Sequence, residues 1–220
     1  MKPAKMEIWY RRFVGPHYID GRCIASFLML MLALATATWC KDAAHLINLG
    51  GMLAFLTGDF TLAKAGYLEG KKKKRYFLGG GLAFALGHVI FASTYILAPQ
   101  RNIPLAMFIA IALNLFAFPF EALTALVLKK KKLLHGSLYQ FSGKFAAYFF
   151  FLSLNGSRFI CTAAGVSYVK LALAILATLS FLLSDILIKL ENQGRLDHPG
   201  EKLLKWVTYV TPVVLLLVLL

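Results

Sequence analysis

Of the 220 residues, 59% are hydrophobic and the mean hydropathy is +0.69, against about 45–50% apolar residues in a soluble domain. That excludes a water-soluble globular protein and points to an integral membrane protein of the all-α, polytopic class. The formal charge of +14 would suggest nucleic acid as a partner in a soluble chain, but here the placement of the charge explains it and no nucleic acid is needed.

The chain opens with residues 1–21, polar, basic and aromatic, in which Met6 to Phe13 (MEIWYRRF) has the make-up of an interfacial anchor. The segment is too long and mixed for a signal n-region, so no cleaved leader is expected. A spanning helix needs about 20 mostly apolar residues. Seven such runs follow, at 22–40, 43–66, 77–98, 104–128, 139–156, 162–189 and 203–220, so residues 22–220 read as one transmembrane helical domain with about seven spans, eight being possible. Cys23, Cys40 and Cys161 are an odd number without metal-ligand spacing and read as small core residues. No metal or cofactor is expected.

With Met1 in the cytoplasm, only Lys41, Arg101, Arg158 and Lys170 fall on the far side, and the other 20 of the 24 lysines and arginines lie on the cytoplasmic side. The positive-inside rule therefore places the amino terminus inside and the carboxyl terminus outside. The runs beginning at Lys71 and Lys129 (KKKKR and KKKK) are topology determinants on this reading, and basic groups of this kind also attract anionic lipid.

Two aspartates stand out against this background. FLTGDFTLAK (Phe55 to Lys64) and FLLSDILIKL (Phe181 to Leu190) each carry Phe, Leu, one variable residue, a small residue and then Asp. An aspartate at the centre of a membrane helix costs roughly 2.5–3.5 kcal/mol on the mildest scale. Both helices run from outside to inside, which puts Asp59 about 10 Å and Asp185 about 6 Å before their basic inner ends at 1.5 Å per residue. Glu121 falls in the same half of the bilayer and His88 nearer its middle. Intramembrane ionisable groups usually face a wet cavity or a functional site, so Asp59 and Asp185 are expected to converge on one watery chamber. Each of these residues also has a plainer reading, as a snorkelling group or an interhelical hydrogen-bonder. Gly50, Gly51, Gly58, Gly79, Gly80, Gly81, Gly87 and Ser184 are small enough to let helix backbones approach. Tyr148 and Asn155 are the polar exceptions in a Phe- and Leu-rich stretch.

Taken together, Gly58-Asp59, the stretch FLGGGLAFALGHVIF from Phe77 to Phe91 with Phe84 and His88 four residues apart, and Ser184-Asp185 resemble the YhhN family of integral membrane proteins. Tyr148 and Thr208-Tyr209 fit the same pattern. Gly21-Arg22 stands where members often have Lys-Pro, and Pro212-Val213 replaces a common glutamine. Characterised members are lysoplasmalogenases, so the resemblance implies a hydrolase that cleaves the vinyl ether of a lysophospholipid to a fatty aldehyde and a glycerophospho-alcohol. It further implies Asp59, Asp185 and His88 as catalytic residues and Arg22, Tyr148, Ser184, Glu121 and Tyr209 as substrate-binding ones. The partners implied are the lysophospholipid substrate and membrane lipids, in a bacterial cytoplasmic membrane. Proton relay in a transporter, or binding of lipid without chemistry, would use the same carboxylates. Gly-x-Gly-Asp of the intramembrane aspartyl proteases is not met, because Leu56 holds the first glycine position.

Overall fold

The computed structural model describes residues 21–97, 102–131, 133–134, 143–164, 166–192, 207–212 and 214–215. The expected interfacial anchor at Met6 to Phe13 lies outside them. Six long helices carry the described chain: α1 (Gly21–Cys40), α2 (Ala43–Gly66), α3 (Gly70–Ser93), α4 (Ile103–Lys130), α5 (Gly143–Ala164) and α6 (Tyr168–Asn192). A 3₁₀ turn (Thr94–Leu97) follows α3, and residues 207–212 and 214–215 are helical as well. The all-α membrane architecture expected from composition is the one observed.

Five of these helices, all but α5, are long and apolar enough to cross a bilayer. Their outward residues are large and apolar, among them Phe27, Leu28, Leu82, Phe108 and Leu115, as a face turned to hydrocarbon requires. Trp39 at the end of α1 and Tyr168 at the start of α6 are also exposed, positions suited to the aromatic belt of a membrane interface. The fifth helix differs because it buries Ser153, Asn155, Ser157 and Arg158.

Three boundaries depart from the sequence reading. The third helix begins at Gly70, so the basic run Lys71 to Arg75 winds into its first turns instead of forming a loop. Lysine and arginine are good helix formers, and Gly70, at φ 55°, takes the left-handed conformation that lets the chain turn into the helix. The fifth and sixth helices meet later than expected, α5 ending at Ala164 and α6 starting at Tyr168. The fifth apolar run stops at Gly156 in the sequence reading. Gly156 is instead a packing contact: a Cβ there would come within 2.5 Å of Thr178 Cγ2. Arg158, which the run boundaries left in an outer connection, is part of a helix and buried.

The chain divides into two compact units, Met1–Ile90 and Phe91–Leu220. In the first, α1 and α2 are joined by Lys41 and Asp42 alone. Lys41 adopts φ 54°, uncommon for a residue with a side chain, and Asp42 caps α2 by accepting a hydrogen bond from the His45 backbone N–H. Glycines then bring α2 and α3 together in a reciprocal way. The Phe84 ring lies where a Cβ on Gly58 would be, 2.7 Å from its ideal position, and the Phe55 ring occupies the corresponding place over Gly87. Phe55 and Phe84 also touch, with ring centroids 5.2 Å apart.

In the second unit, α4 starts with Asn102 accepting from the Leu105 N–H and with a proline in its first turn, both favoured there. Its last turn carries Lys129 and Lys130, which complement the helix dipole. Tyr95 Oη accepts from the Asn102 N–H at 2.7 Å, fixing the entry to the helix.

Two predictions follow from this packing. Gly58→Ala forces a methyl into an aromatic ring and is expected to lower stability by about 1–3 kcal/mol. Gly81→Ala, where a Cβ meets nothing within 4 Å, is expected to gain up to about 1 kcal/mol from helix propensity. Thermal unfolding of the two variants in one detergent compares them directly. At the α1–α2 turn, the His45 backbone N–H and then its ring hold the Asp42 carboxyl below its ordinary value of 3.8. A carboxyl with a depressed folded pKa stabilises the fold above its unfolded pKa and loses that effect as pH falls through the folded one. Asp42→Ala should thus lower the unfolding midpoint at neutral pH, and the gap to wild type should close as the pH is taken below 3.8.

Candidate functional site

In the first unit the site is built around Asp59, which is wholly buried, with 0% of its surface exposed. The carboxyl accepts a hydrogen bond at Oδ2 from the hydroxyl of Ser26 on α1. The small side chain before it is required by packing, since Phe84 lies on Gly58. Four residues beyond Phe84, one turn along α3, comes His88, also buried. Its ring meets the edge of Phe55 with centroids 5.0 Å apart. Gly58-Asp59 and Phe84-x-x-x-His88 are thus two halves of one packed arrangement, with Phe55 touching both Phe84 and His88. Arg22, near the start of α1, is partly exposed.

In the second unit Asp185 keeps some exposure and accepts a hydrogen bond at Oδ2 from the Tyr148 hydroxyl of α5, at 2.8 Å. Ser184 beside it is fully buried, and its hydroxyl has no hydrogen-bond partner among the described residues. One turn further along α6, Lys189 reaches across to Glu121 of α4, with Nζ 2.6 Å from Oε1 and both side chains 2% exposed. The ammonium also lies 4.9 Å from the centre of the Phe145 ring. Tyr148 and Phe145 on α5, and Asp185 and Lys189 on α6, are each spaced to share a helix face. The result is a two-layered polar cluster between three helices, a carboxylate met by a phenol in one layer and an ion pair over an aromatic ring in the next.

The sequence profile of the YhhN family matches residues 22–218. This protein belongs to the YhhN family. No curated protein and no solved structure matches the chain. The motifs by which the YhhN resemblance was read, Gly58-Asp59, Phe84-x-x-x-His88 and Ser184-Asp185, lie in the two clusters just described.

Several residues have surroundings that their spacing did not announce. Lys189, counted as a charge at the inner membrane face, is buried and bound to Glu121, so it adds nothing to that face. Glu121, expected to meet substrate or to snorkel, is held by that lysine. Ser26 carried no signal in the sequence, because a lone serine on an apolar helix is ordinary. Cys40 is exposed rather than part of the core, whereas Cys23 is buried as expected. Tyr209 is buried, as is Thr208 beside it.

The ion pair yields a further prediction. Removing one member of a buried pair strands the other charge, at a cost of about 3–5 kcal/mol, whereas replacing both by apolar residues is often neutral or stabilising. Glu121→Leu and Lys189→Met are each expected to destabilise the protein strongly, and the double variant to recover most of the loss in a thermal unfolding series.

Proposed function

We propose that this YhhN-family protein is a lysoplasmalogenase of a bacterial cytoplasmic membrane, hydrolysing the vinyl ether of a 1-alkenyl lysophospholipid. The observation that carries the reading is that its two membrane aspartates sit in different surroundings, Asp59 wholly buried against a serine hydroxyl and Asp185 partly accessible under a tyrosine hydroxyl. Vinyl-ether hydrolysis needs two unlike groups. One acid delivers a proton to the alkene carbon remote from oxygen, which turns the adjacent carbon into an oxocarbenium ion. A base then takes a proton from water as its oxygen adds to that carbon. The hemiacetal so formed collapses, its hydroxyl proton leaving and the glyceryl oxygen being protonated, to give a fatty aldehyde and a glycerophospho-alcohol with one water consumed.

In this scheme Asp59 is the acid and Asp185, the one with access, acts on water, with Tyr148 fixing its orientation. His88 orients the acid's surroundings through Phe55. Ser184 and Tyr209 take part in binding, and Arg22 near the inner end of α1 meets the phosphate, as a guanidinium suits. General acid–base groups typically contribute about 10²–10⁴-fold each. Purified protein given a 1-alkenyl lysophospholipid is expected to release aldehyde. Asp59→Asn and Asp185→Asn should each lower turnover by about 10²-fold or more, and Tyr148→Phe by less. No aldehyde from folded wild-type protein refutes the hydrolase and leaves transport or lipid binding as the role of these carboxyls.

A further inference from the structure

Arg158 on α5 is 4% exposed. Its Nη1 has no hydrogen-bond partner among the described residues, and its guanidinium carbon lies 4.5 Å from the centre of the adjoining Phe159 ring. Among the described residues no carboxylate is paired with it. The contrast with Lys189 is direct: that side chain is as deeply buried but has a carboxylate at 2.6 Å. A guanidinium cannot escape by giving up its proton, and an unpaired charge removed from water carries a heavy desolvation penalty. An aromatic face offsets a small part of that penalty. The site is therefore short of one anion.

The Tyr148–Asp185 hydrogen bond and the Gly156–Thr178 contact set the antiparallel register of α5 against α6. Arg158 then stands level with the stretch of α6 that holds Ala174 and Ala177, both fully buried and small. Asn155, three residues before Arg158 on α5, is buried too and is spaced to share its face. Along α5, Arg158 is ten residues, or about 15 Å, from Tyr148, and about 9 Å from the helix end at Ala164, on the outer side by the charge-derived topology.

We propose that Arg158 anchors a phosphate group inside the second unit. The planar fork of the guanidinium matches phosphate oxygens in pairs, and phosphate is the oxyanion that phospholipid headgroups supply. The proposal concerns binding and stands apart from the vinyl-ether chemistry.

The test uses the full-length protein, purified in phosphate-free non-ionic detergent and examined by native mass spectrometry and thermal unfolding. Three probes separate the sources of phosphate: a 1-alkyl lysophosphatidylethanolamine, whose ether lacks the double bond, a diacyl phosphatidylethanolamine, and inorganic phosphate. Wild type is expected to hold one equivalent of at least one probe and to unfold at higher temperature with it. Arg158→Gln should weaken that binding tenfold or more. Preference for the lysolipid, the diacyl lipid or the free ion, each lost with Arg158, assigns the source. Should the glutamine variant not fold, Arg158→Lys, which keeps the charge and loses the fork, is expected to bind more weakly than wild type. Binding of none of the probes, or binding unchanged in the variants, overturns the assignment.

Discussion

The chain is governed by the cost of placing an ionic or polar side chain where water is scarce. Several such groups in the described helices are met across a helix interface. Asp59 finds a hydroxyl, Asp185 a phenol and Glu121 an ammonium. These contacts link helices that have no hydrophobic force to bring them together in lipid, where association depends on close packing and polar contacts. The glycines complement them, since Gly58 and Gly87 allow phenylalanine rings to lie on the backbone of the facing helix.

The helices themselves were largely legible in the amino-acid order. Apolar runs of spanning length and the bias of lysine and arginine determine them, and both are properties of single segments. What failed did so because a residue's role depended on a facing helix. The fifth run was ended at Gly156, which is a contact for Thr178 within a longer helix. Lys189 and Arg158 read as membrane-face charges because lysine and arginine usually are, yet one is paired and the other buried within a helix. For the site, Gly58-Asp59, Phe84, His88 and Ser184-Asp185 could be picked out because a carboxyl or imidazole is rare in an apolar run. Ser26 could not, since nothing in a single apolar segment marks which serine faces a carboxyl 33 residues away.

The two acid clusters differ in kind as well as in location. Beside Asp59 the backbone of Gly58 carries the Phe84 ring, and the carboxyl accepts from a serine hydroxyl. Around Asp185 the neighbours are a phenol, a buried serine and, one turn on, an ion pair.

The two-residue link at Lys41 and Asp42 also bears on how the chain enters the bilayer. With so little length between them, α1 and α2 emerge from synthesis as a helical hairpin. The hydroxyl that receives Asp59 has been made 33 residues earlier. The most lipid-averse group of the early chain thus arrives with its shelter already synthesised, before any residue of the second unit exists.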